Sequence, residues 1–218
     1  MEQDVTNPSP PAPPYRKGWL RRLKKRATGV IITLGRVRPL ARFGYAVYGA
    51  FSKRKLARRG NVPNMAMLDG TLMRGGQPRE AGFAWLKAQG VDTILNLRRE
   101  ARWEEKAAKR HGLRYYFLEM PVFDAPPLEL VYEFLRIATN PDNGTVFFHC
   151  YHGADRTGTL AAVYRVAVQG WSLEDALEEF YRHGFHAGYQ DRNLDFLYRF
   201  ATHWDGLDES ARLKLLNR

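Results

Sequence analysis

Thr145-Val-Phe-Phe-His149-Cys150-Tyr-His-Gly153-Ala-Asp155-Arg156-Thr157-Gly158, running on as Thr159-Leu-Ala-Ala-Val-Tyr-Arg-Val-Ala-Val-Gln169, is the stretch on which the fold of this chain turns. The turn signal Pro141-Asp-Asn-Gly144 precedes a short β-rich run from Thr145 to Phe148, and an apolar run of helical period ends at Gly170. The segment therefore reads as a strand, a tight loop and a buried helix, with the loop seated at the helix N-terminus. It also contains Cys150, the only cysteine among the 218 residues.

The loop from Cys150 to Arg156 has what an oxyanion site needs: successive backbone N–H groups converging on one point, with the positive end of a helix behind them. Gly153 permits the curl, and Arg156 adds a planar fork of donors matched to two oxygens of a phosphate, which lysine would not reproduce. The same field acts on the sulfur of Cys150 and favours thiolate; such settings lower a thiol pKa from about 8.5 into roughly the 3.5–7.5 range. A lone cysteine is most often a small buried apolar residue. A cysteine followed after five residues by Arg-Thr-Gly, between a strand and a helix, points instead to a nucleophile.

These residues carry a family resemblance. His149-Cys150-Tyr151-His152-Gly153-Ala154-Asp155-Arg156-Thr157-Gly158 resembles the signature loop of the cysteine-based protein tyrosine phosphatase superfamily, in its compact dual-specificity branch of bacterial type, and matches every fixed position of it. The resemblance implies that Cys150 attacks phosphorus. Arg156 and the amides of Tyr151, His152, Gly153, Ala154 and Asp155 would hold the phosphate oxygens, and the Thr157 hydroxyl would help the thiolate leave. His149 would orient the loop rather than react. Phosphoinositide-cleaving relatives often carry a basic residue where this chain has Asp155, a departure that counts against a highly charged inositol headgroup. Arg74-Gly-Gly-Gln-Pro78 also resembles bacterial and fungal members of the branch, a weaker signal than the cysteine loop.

Composition bounds the rest. With 44% hydrophobic residues, one domain of about 150 residues plus an appendage is the natural expectation. A single cysteine excludes an internal disulfide and suits a reducing, cytoplasmic setting. The net charge of +11 is unevenly spread: residues 1–60 hold 15 Lys and Arg against Glu2 and Asp4, a balance of +13, while residues 61–218 hold 19 bases against 21 acids, or −2. The basicity belongs to an arm.

Residues 1–14 form a proline-rich leader expected to be disordered, and no signal peptide is readable there. Residues 15–60 form the basic arm, whose apolar pieces fall far short of the ~20 residues needed to span a bilayer. Trp19, Leu20 and Leu23 among basic residues give the pattern of an interfacial anchor on an anionic, inner-face membrane surface. Packing of the arm on the catalytic body explains the same residues equally well, and a nucleic-acid tail ranks third because the arm has few polar readers. Residues 61–205 form the body, and residues 206–218 a C-terminal tail.

Within the body, Asp69-Gly70 predicts a hairpin, Arg74 to Pro78 leads into a helix ending at Gly90, and Val91 to Leu97 reads as a buried strand. That strand ends in Arg98-Arg99-Glu100, at the carboxyl end where α/β sheets place ligands, so Arg98 is a candidate second phosphate contact, with a solvated loop charge as the simpler reading. Glu100 to His111 predicts a charged amphipathic helix and Tyr115 to Met120 a strand. The loop Pro121-Val-Phe-Asp124-Ala-Pro-Pro127 follows, then a helix from Leu128 to Thr139. In the resembling family a mobile loop after the corresponding strand supplies an aspartic acid that protonates the leaving oxygen; Asp124 is the only acid of this loop and is assigned that role. Helices are also predicted from Ser172 to Gly184 and from Asp191 to His203. His183, His186 and His203 lack metal-ligand spacing, and neither metal nor cofactor is expected.

The expected fold is α/β, a small, mostly parallel central sheet flanked by helices, with the cysteine loop between its central strand and a buried helix. The expected function is a metal-independent phosphomonoester hydrolase working through a cysteinyl-phosphate on a phosphoprotein, phospholipid or inositol phosphate. Its rivals are an RNA 5′-phosphatase of the same superfamily, a sulfur-transfer enzyme, which would not require Arg156-Thr157, and a non-catalytic phosphate-binding adaptor.

Overall fold

A computed structural model of the protein describes residues 61–101, 103–186 and 190–216. The leader and the basic arm, residues 1–60, lie outside the described residues. Five strands, β1 (Ala66–Met67), β2 (Leu72–Gly76), β3 (Thr93–Asn96), β4 (Arg114–Phe117) and β5 (Val146–Cys150), form one sheet in the order β1-β2-β5-β3-β4. Only the β1–β2 pair is antiparallel, closed by the Asp69-Gly70 turn as expected; the β2–β5, β5–β3 and β3–β4 pairs are parallel, with β5 in the centre. The Asp69 carboxylate caps that turn by accepting from the N–H groups of Thr71 and Leu72, both at 2.8 Å.

Both faces of the sheet are covered, so the strands read as continuous apolar runs, and the two-residue period divides them between two cores. Val146 and Phe148 of β5, Leu95 of β3 and Leu72 of β2 face one cluster; Phe147, Ile94 and Met73 face the other. The first, larger core is built with α3 (Leu128–Thr139), α4 (Asp155–Ala167), α5 (Leu173–Arg182) and α6 (Asp191–Asp205). The second lies under α1 (Glu80–Ala88) and α2 (Glu104–Arg110). Every residue of α4 from Arg156 to Val166 is buried, which is why its sequence lacks a polar face. Burying each Leu, Val or Phe here stabilises the fold by about 1.5–3 kcal/mol, which fixes the strand that delivers Cys150.

The structure departs from the sequence expectations in four places. Arg74-Gly75-Gly76 is the end of strand β2 rather than a lead into a helix, registered against Phe148, His149 and Cys150; a glycine pair masks a strand because it brings no side chains to pack. The charged stretch from Glu100 divides into a 3-10 turn (Arg99–Ala101) and a shorter α2, whose Glu104 is fully buried. The helix after the cysteine loop starts at Asp155, so Arg156, Thr157 and Gly158 lie in its first turn and the loop proper is four residues long. Residues expected to form a tail contain α7 (Glu209–Leu215), capped by Asp208 and tied to α3 by a hydrogen bond from the Thr139 hydroxyl to the Leu216 carbonyl at 3.0 Å. Among the described residues no helix is long and apolar enough to cross a membrane.

Candidate active site

Cys150 is the last residue of the central strand and is 3% exposed. The chain then turns through Tyr151, His152, Gly153 and Ala154 into α4, and Gly153 makes the turn with φ of +69°, a left-handed conformation that side chains disfavour. Nearly every carbonyl of this loop is fastened to the protein. The Tyr151 carbonyl accepts from the Gln77 N–H at 3.0 Å and the His152 carbonyl from the Asn64 side-chain amide at 3.2 Å. The Gly153 carbonyl accepts from Asn64 at 2.9 Å and from Arg74 Nη2 at 2.6 Å. The Ala154 carbonyl accepts from the Gly158 N–H at 2.8 Å and the Asp155 carbonyl from the Thr159 hydroxyl at 2.9 Å. In a planar trans peptide the N–H points opposite to the C=O. Tying the carbonyls of Tyr151, His152 and Gly153 outward therefore turns the amides of His152, Gly153 and Ala154 into the concave side, a nest whose donors could receive an anion.

The double glycine of β2 gives the loop room. A Cβ on Gly76 would stand 2.9 Å from the Tyr151 carbonyl oxygen, and one on Gly153 would stand 2.4 Å from the Gly75 carbonyl carbon. Backbone packs on backbone here, and no side chain fits between. Gly158 plays the same part for α5, where a Cβ would meet the Phe180 ring at 2.4 Å.

Arg156 is 7% exposed and its Nη1 donates to the Leu97 carbonyl at 3.3 Å, which braces the guanidinium against the end of β3. The buried Thr157 hydroxyl reaches the Gly75 carbonyl at 3.4 Å. His149 is fully buried: its Nδ1 donates to the Cys150 carbonyl at 3.2 Å, and its Nε2 lies 3.3 Å from Glu104 Oε2. The second contact is an ion-pair distance rather than an aligned hydrogen bond, since neither Nε2 nor either Glu104 oxygen has a hydrogen-bond partner. The Asp155 carboxylate faces away from the nest and accepts from the His186 N–H at 2.9 Å and from His186 Nδ1 at 2.8 Å. That hydrogen bond is the main reason the His186 pKa is raised above its ordinary value. Arg98 stands at the rim, its guanidinium 4.7 Å from the centre of the half-exposed Tyr151 ring and hydrogen-bonded to the Gln77 side-chain oxygen.

Asp124 sits on the exposed loop after β4 and is paired with Arg192 of α6. Service as a proton donor would require the loop to release Arg192. Phe123, beside it, is 56% exposed.

The structure thus brings together Cys150, the nest residues, Arg156, Thr157 and His149, and sets Arg98 at the margin. It also adds residues that the sequence reading missed: Asn64, Arg74, Glu104 and His186. Only the Arg74-Gly-Gly-Gln-Pro78 stretch offered a sequence signal for any of them.

Comparison with known proteins agrees with this geometry. Residues 52–193 match the family model described as "DSP-PTPase phosphatase fused to NAD+ Kinase", which reaches into the arm beyond the expected start of the body at residue 61. The chain is 33% identical over 129 residues to the dual specificity protein phosphatase TpbA of Pseudomonas aeruginosa, covering 56% of this chain and 55% of that protein. It is 30% identical over 125 residues to the inositol diphosphatase DSP4 of Arabidopsis thaliana, covering 55% of this chain and 63% of that protein. The chain therefore spans only about half to two thirds of these curated relatives. Among solved structures, the core catalytic domain of the PP-IP phosphatase SIW14 from Saccharomyces cerevisiae, in complex with citrate, superposes with a TM-score of 0.59 at 25% identity, covering 71% of this chain and 92% of that one. P. aeruginosa TpbA in complex with pTyr, as a Cys-to-Ser form, superposes with a TM-score of 0.52 at 26% identity, covering 71% and 91%. With the signature loop folded as a nest around its cysteine and the family model matched over most of the chain, this protein belongs to the dual-specificity-type protein tyrosine phosphatase (DSP-PTPase) family.

Proposed function

We propose that the chain hydrolyses phosphomonoesters without a metal, through a cysteinyl-phosphate on Cys150. The observation that carries this reading is the outward fastening of the loop carbonyls, which turns the following amides toward the concave side of the loop that begins at Cys150. In the first step the Cys150 thiolate attacks phosphorus, the P–S bond forms as the P–O bond to the leaving group breaks, and Asp124 gives its proton to the departing oxygen. In the second step Asp124 takes a proton from water, the water oxygen attacks phosphorus, and the P–S bond breaks to return the thiolate, with the Thr157 hydroxyl donating to sulfur. Splitting the reaction lets one carboxyl act as acid and then as base. The amides and Arg156 stabilise the charge that develops on the transferring phosphoryl oxygens.

The substrate is a phosphoprotein, an inositol phosphate or a phospholipid; the first two are in line with the dual specificity protein phosphatase TpbA and the inositol diphosphatases DSP4 and SIW14. The exposed rings of Tyr151 and Phe123 and the Arg98 guanidinium at the rim suit a substrate that offers a flat or anionic body beyond its phosphate. The +13 of residues 1–60 supports a second element, attachment of a cytoplasmic protein to an anionic membrane surface, worth about 1 kcal/mol for each engaged Lys or Arg.

The test is a substrate panel on the full chain, its Cys150→Ser variant and a form lacking residues 1–60. The panel comprises phosphotyrosine and phosphothreonine peptides, an inositol pyrophosphate, a phosphoinositide in vesicles and triphosphorylated RNA. Turnover of a phosphopeptide or inositol phosphate that vanishes in Cys150→Ser supports the reading. Chelator-sensitive turnover that survives in Cys150→Ser overturns it, preference for RNA favours the RNA 5′-phosphatase, and phosphate binding without turnover leaves an adaptor. Loss of vesicle binding on removing residues 1–60, with soluble turnover kept, separates a membrane arm from one that packs on the body.

A further inference from the structure

Arg74 is the largest fully buried side chain of the molecule's described part, and its guanidinium lies directly beneath the loop. Nη2 donates to the Gly153 carbonyl at 2.6 Å, whereas Nε and Nη1 have no hydrogen-bond partner. A buried guanidinium with two unpaired donors is costly unless an opposite charge lies close by. Glu179, the carboxylate that acts most strongly on Arg74, is hydrogen-bonded through both oxygens to Arg165, at 2.8 Å each, and makes no hydrogen bond to Arg74. His183, the other titratable group of the cluster, is neutral at pH 7: burial and the field of Arg74 lower its pKa to about 4. Arg74, Arg165 and Glu179 therefore leave one positive charge over in a dry interior. The remaining neighbour able to carry a negative charge is Cys150. Consistently, burial lowers the Arg74 pKa to about 10, still charged at neutral pH, while the charges of Glu179 and then Cys150 hold it up.

We propose that Arg74 is a positioning residue for the reaction: it fixes the loop from below through the Gly153 carbonyl and supplies the charge that balances the Cys150 thiolate. Arg156 meets the phosphate from above; Arg74 never touches it. Two cations thus divide the work, one facing substrate and one facing the protein interior. The Nη2 donor serves the carbonyl contact and the charge serves the sulfur, so the two contributions come apart in different substitutions. This inference takes Cys150 as the reacting group, as in the proposed function, but its test does not require turnover.

The experiment uses the full chain, whose single cysteine makes alkylation unambiguous. Wild type, Arg74→Lys and Arg74→Met are compared for the rate of Cys150 alkylation by iodoacetamide at neutral pH and for protection of that thiol by inorganic phosphate. Thermal melting reports the folded fraction. In folded Arg74→Met, alkylation is expected to slow about tenfold and phosphate protection to be lost, because thiolate and loop both lose support. In Arg74→Lys the alkylation rate should stay within about threefold while the phosphate concentration for half protection rises about tenfold, the charge being kept and the carbonyl contact weakened. Alkylation and protection within twofold of wild type in either folded variant overturn the proposal. Where Arg74→Met does not fold, Arg74→Lys decides: unchanged protection refutes the role in holding the loop. Normal thiol behaviour in wild type with no turnover on any substrate refutes the phosphatase reading and leaves Arg74 in place.

Discussion

An Asn64→Gly substitution keeps the left-handed backbone of residue 64, where φ is +51°, and removes everything its side chain holds. The Asn64 amide nitrogen serves three carbonyls, those of His152 at 3.2 Å, Gly153 at 2.9 Å and His183 at 3.0 Å, and its oxygen accepts from His183 Nδ1 at 3.1 Å. An amide has two N–H groups, so three hydrogen bonds are lost in all, each worth about 0.5–1.5 kcal/mol net. The site is only half-buried and water replaces part of the loss, which places the expected destabilisation at about 2 kcal/mol. For a chain of this size that lowers Tm by roughly 4–8 °C. Asn64→Ala should cost about 1–2 kcal/mol more, because alanine resists the left-handed conformation. Urea unfolding of the three proteins gives the stabilities, and phosphate protection of Cys150 reads the loop directly. Phosphate affinity should fall in Asn64→Gly, since two loop carbonyls are freed to turn inward. Should Asn64→Gly lie within about 0.5 kcal/mol of wild type with unchanged phosphate affinity, the argument that outward carbonyl ties shape the nest is wrong.

Asp124→Asn is expected to lower kcat by about 10²–10⁴ on alkyl phosphates and much less on an aryl phosphate with a good leaving group; equal kinetics on both would assign the proton donor elsewhere. Its partner substitution, Arg192→Ala, should leave stability within about 1 kcal/mol, since the Asp124–Arg192 pair is exposed, and should not lower kcat. The pH dependence of stability has two opposing histidine contributions. His183 is held neutral, with a pKa lowered to about 4, so its contribution is present above about pH 6.5 and is lost as pH falls from 6.5 towards 4. Partial exposure limits this to about 1–2 kcal/mol, and His183→Asn should flatten the acid limb of urea midpoints measured against pH. His186 has a raised pKa through Asp155, so its contribution is complete below about pH 6.5 and fades as pH rises through the raised value; His186→Asn should remove that alkaline loss.

The candidate site was legible in the sequence because its parts are contiguous: Cys150 to Gly158 carries the proposed nucleophile, the loop and the arginine in one short stretch of chain, and the apolar periods on either side determine strand and helix. The residues that shape the loop were not legible because they act across the fold. Asn64 reaches carbonyls 88 and 89 positions away, and Arg74 one 79 positions away. Nothing local distinguishes such an asparagine from one in a surface turn. Glu104 could not be singled out for a related reason: Glu104-Glu105-Lys106 has the charge pattern of a solvated helix, yet the helix rolls that one acid against His149. The glycine pair of β2 reads in sequence as a lead into a helix, whereas in the fold it serves a close backbone contact.

That close contact has a consequence for assembly. The concave face of the pocket is a cast of residues 61–77, because Asn64, Arg74, Gly75, Gly76 and Gln77 meet the loop from outside. A chain in which β3, β5 and α4 have come together before β2 docks holds the nucleophile and the arginine but has no mould for the turn between them. The shape proposed to bind phosphate is then acquired in one step, when the amino-terminal edge of the body closes against the centre. A nick anywhere between Asn64 and Arg74 would undo it while leaving most of the apolar core intact.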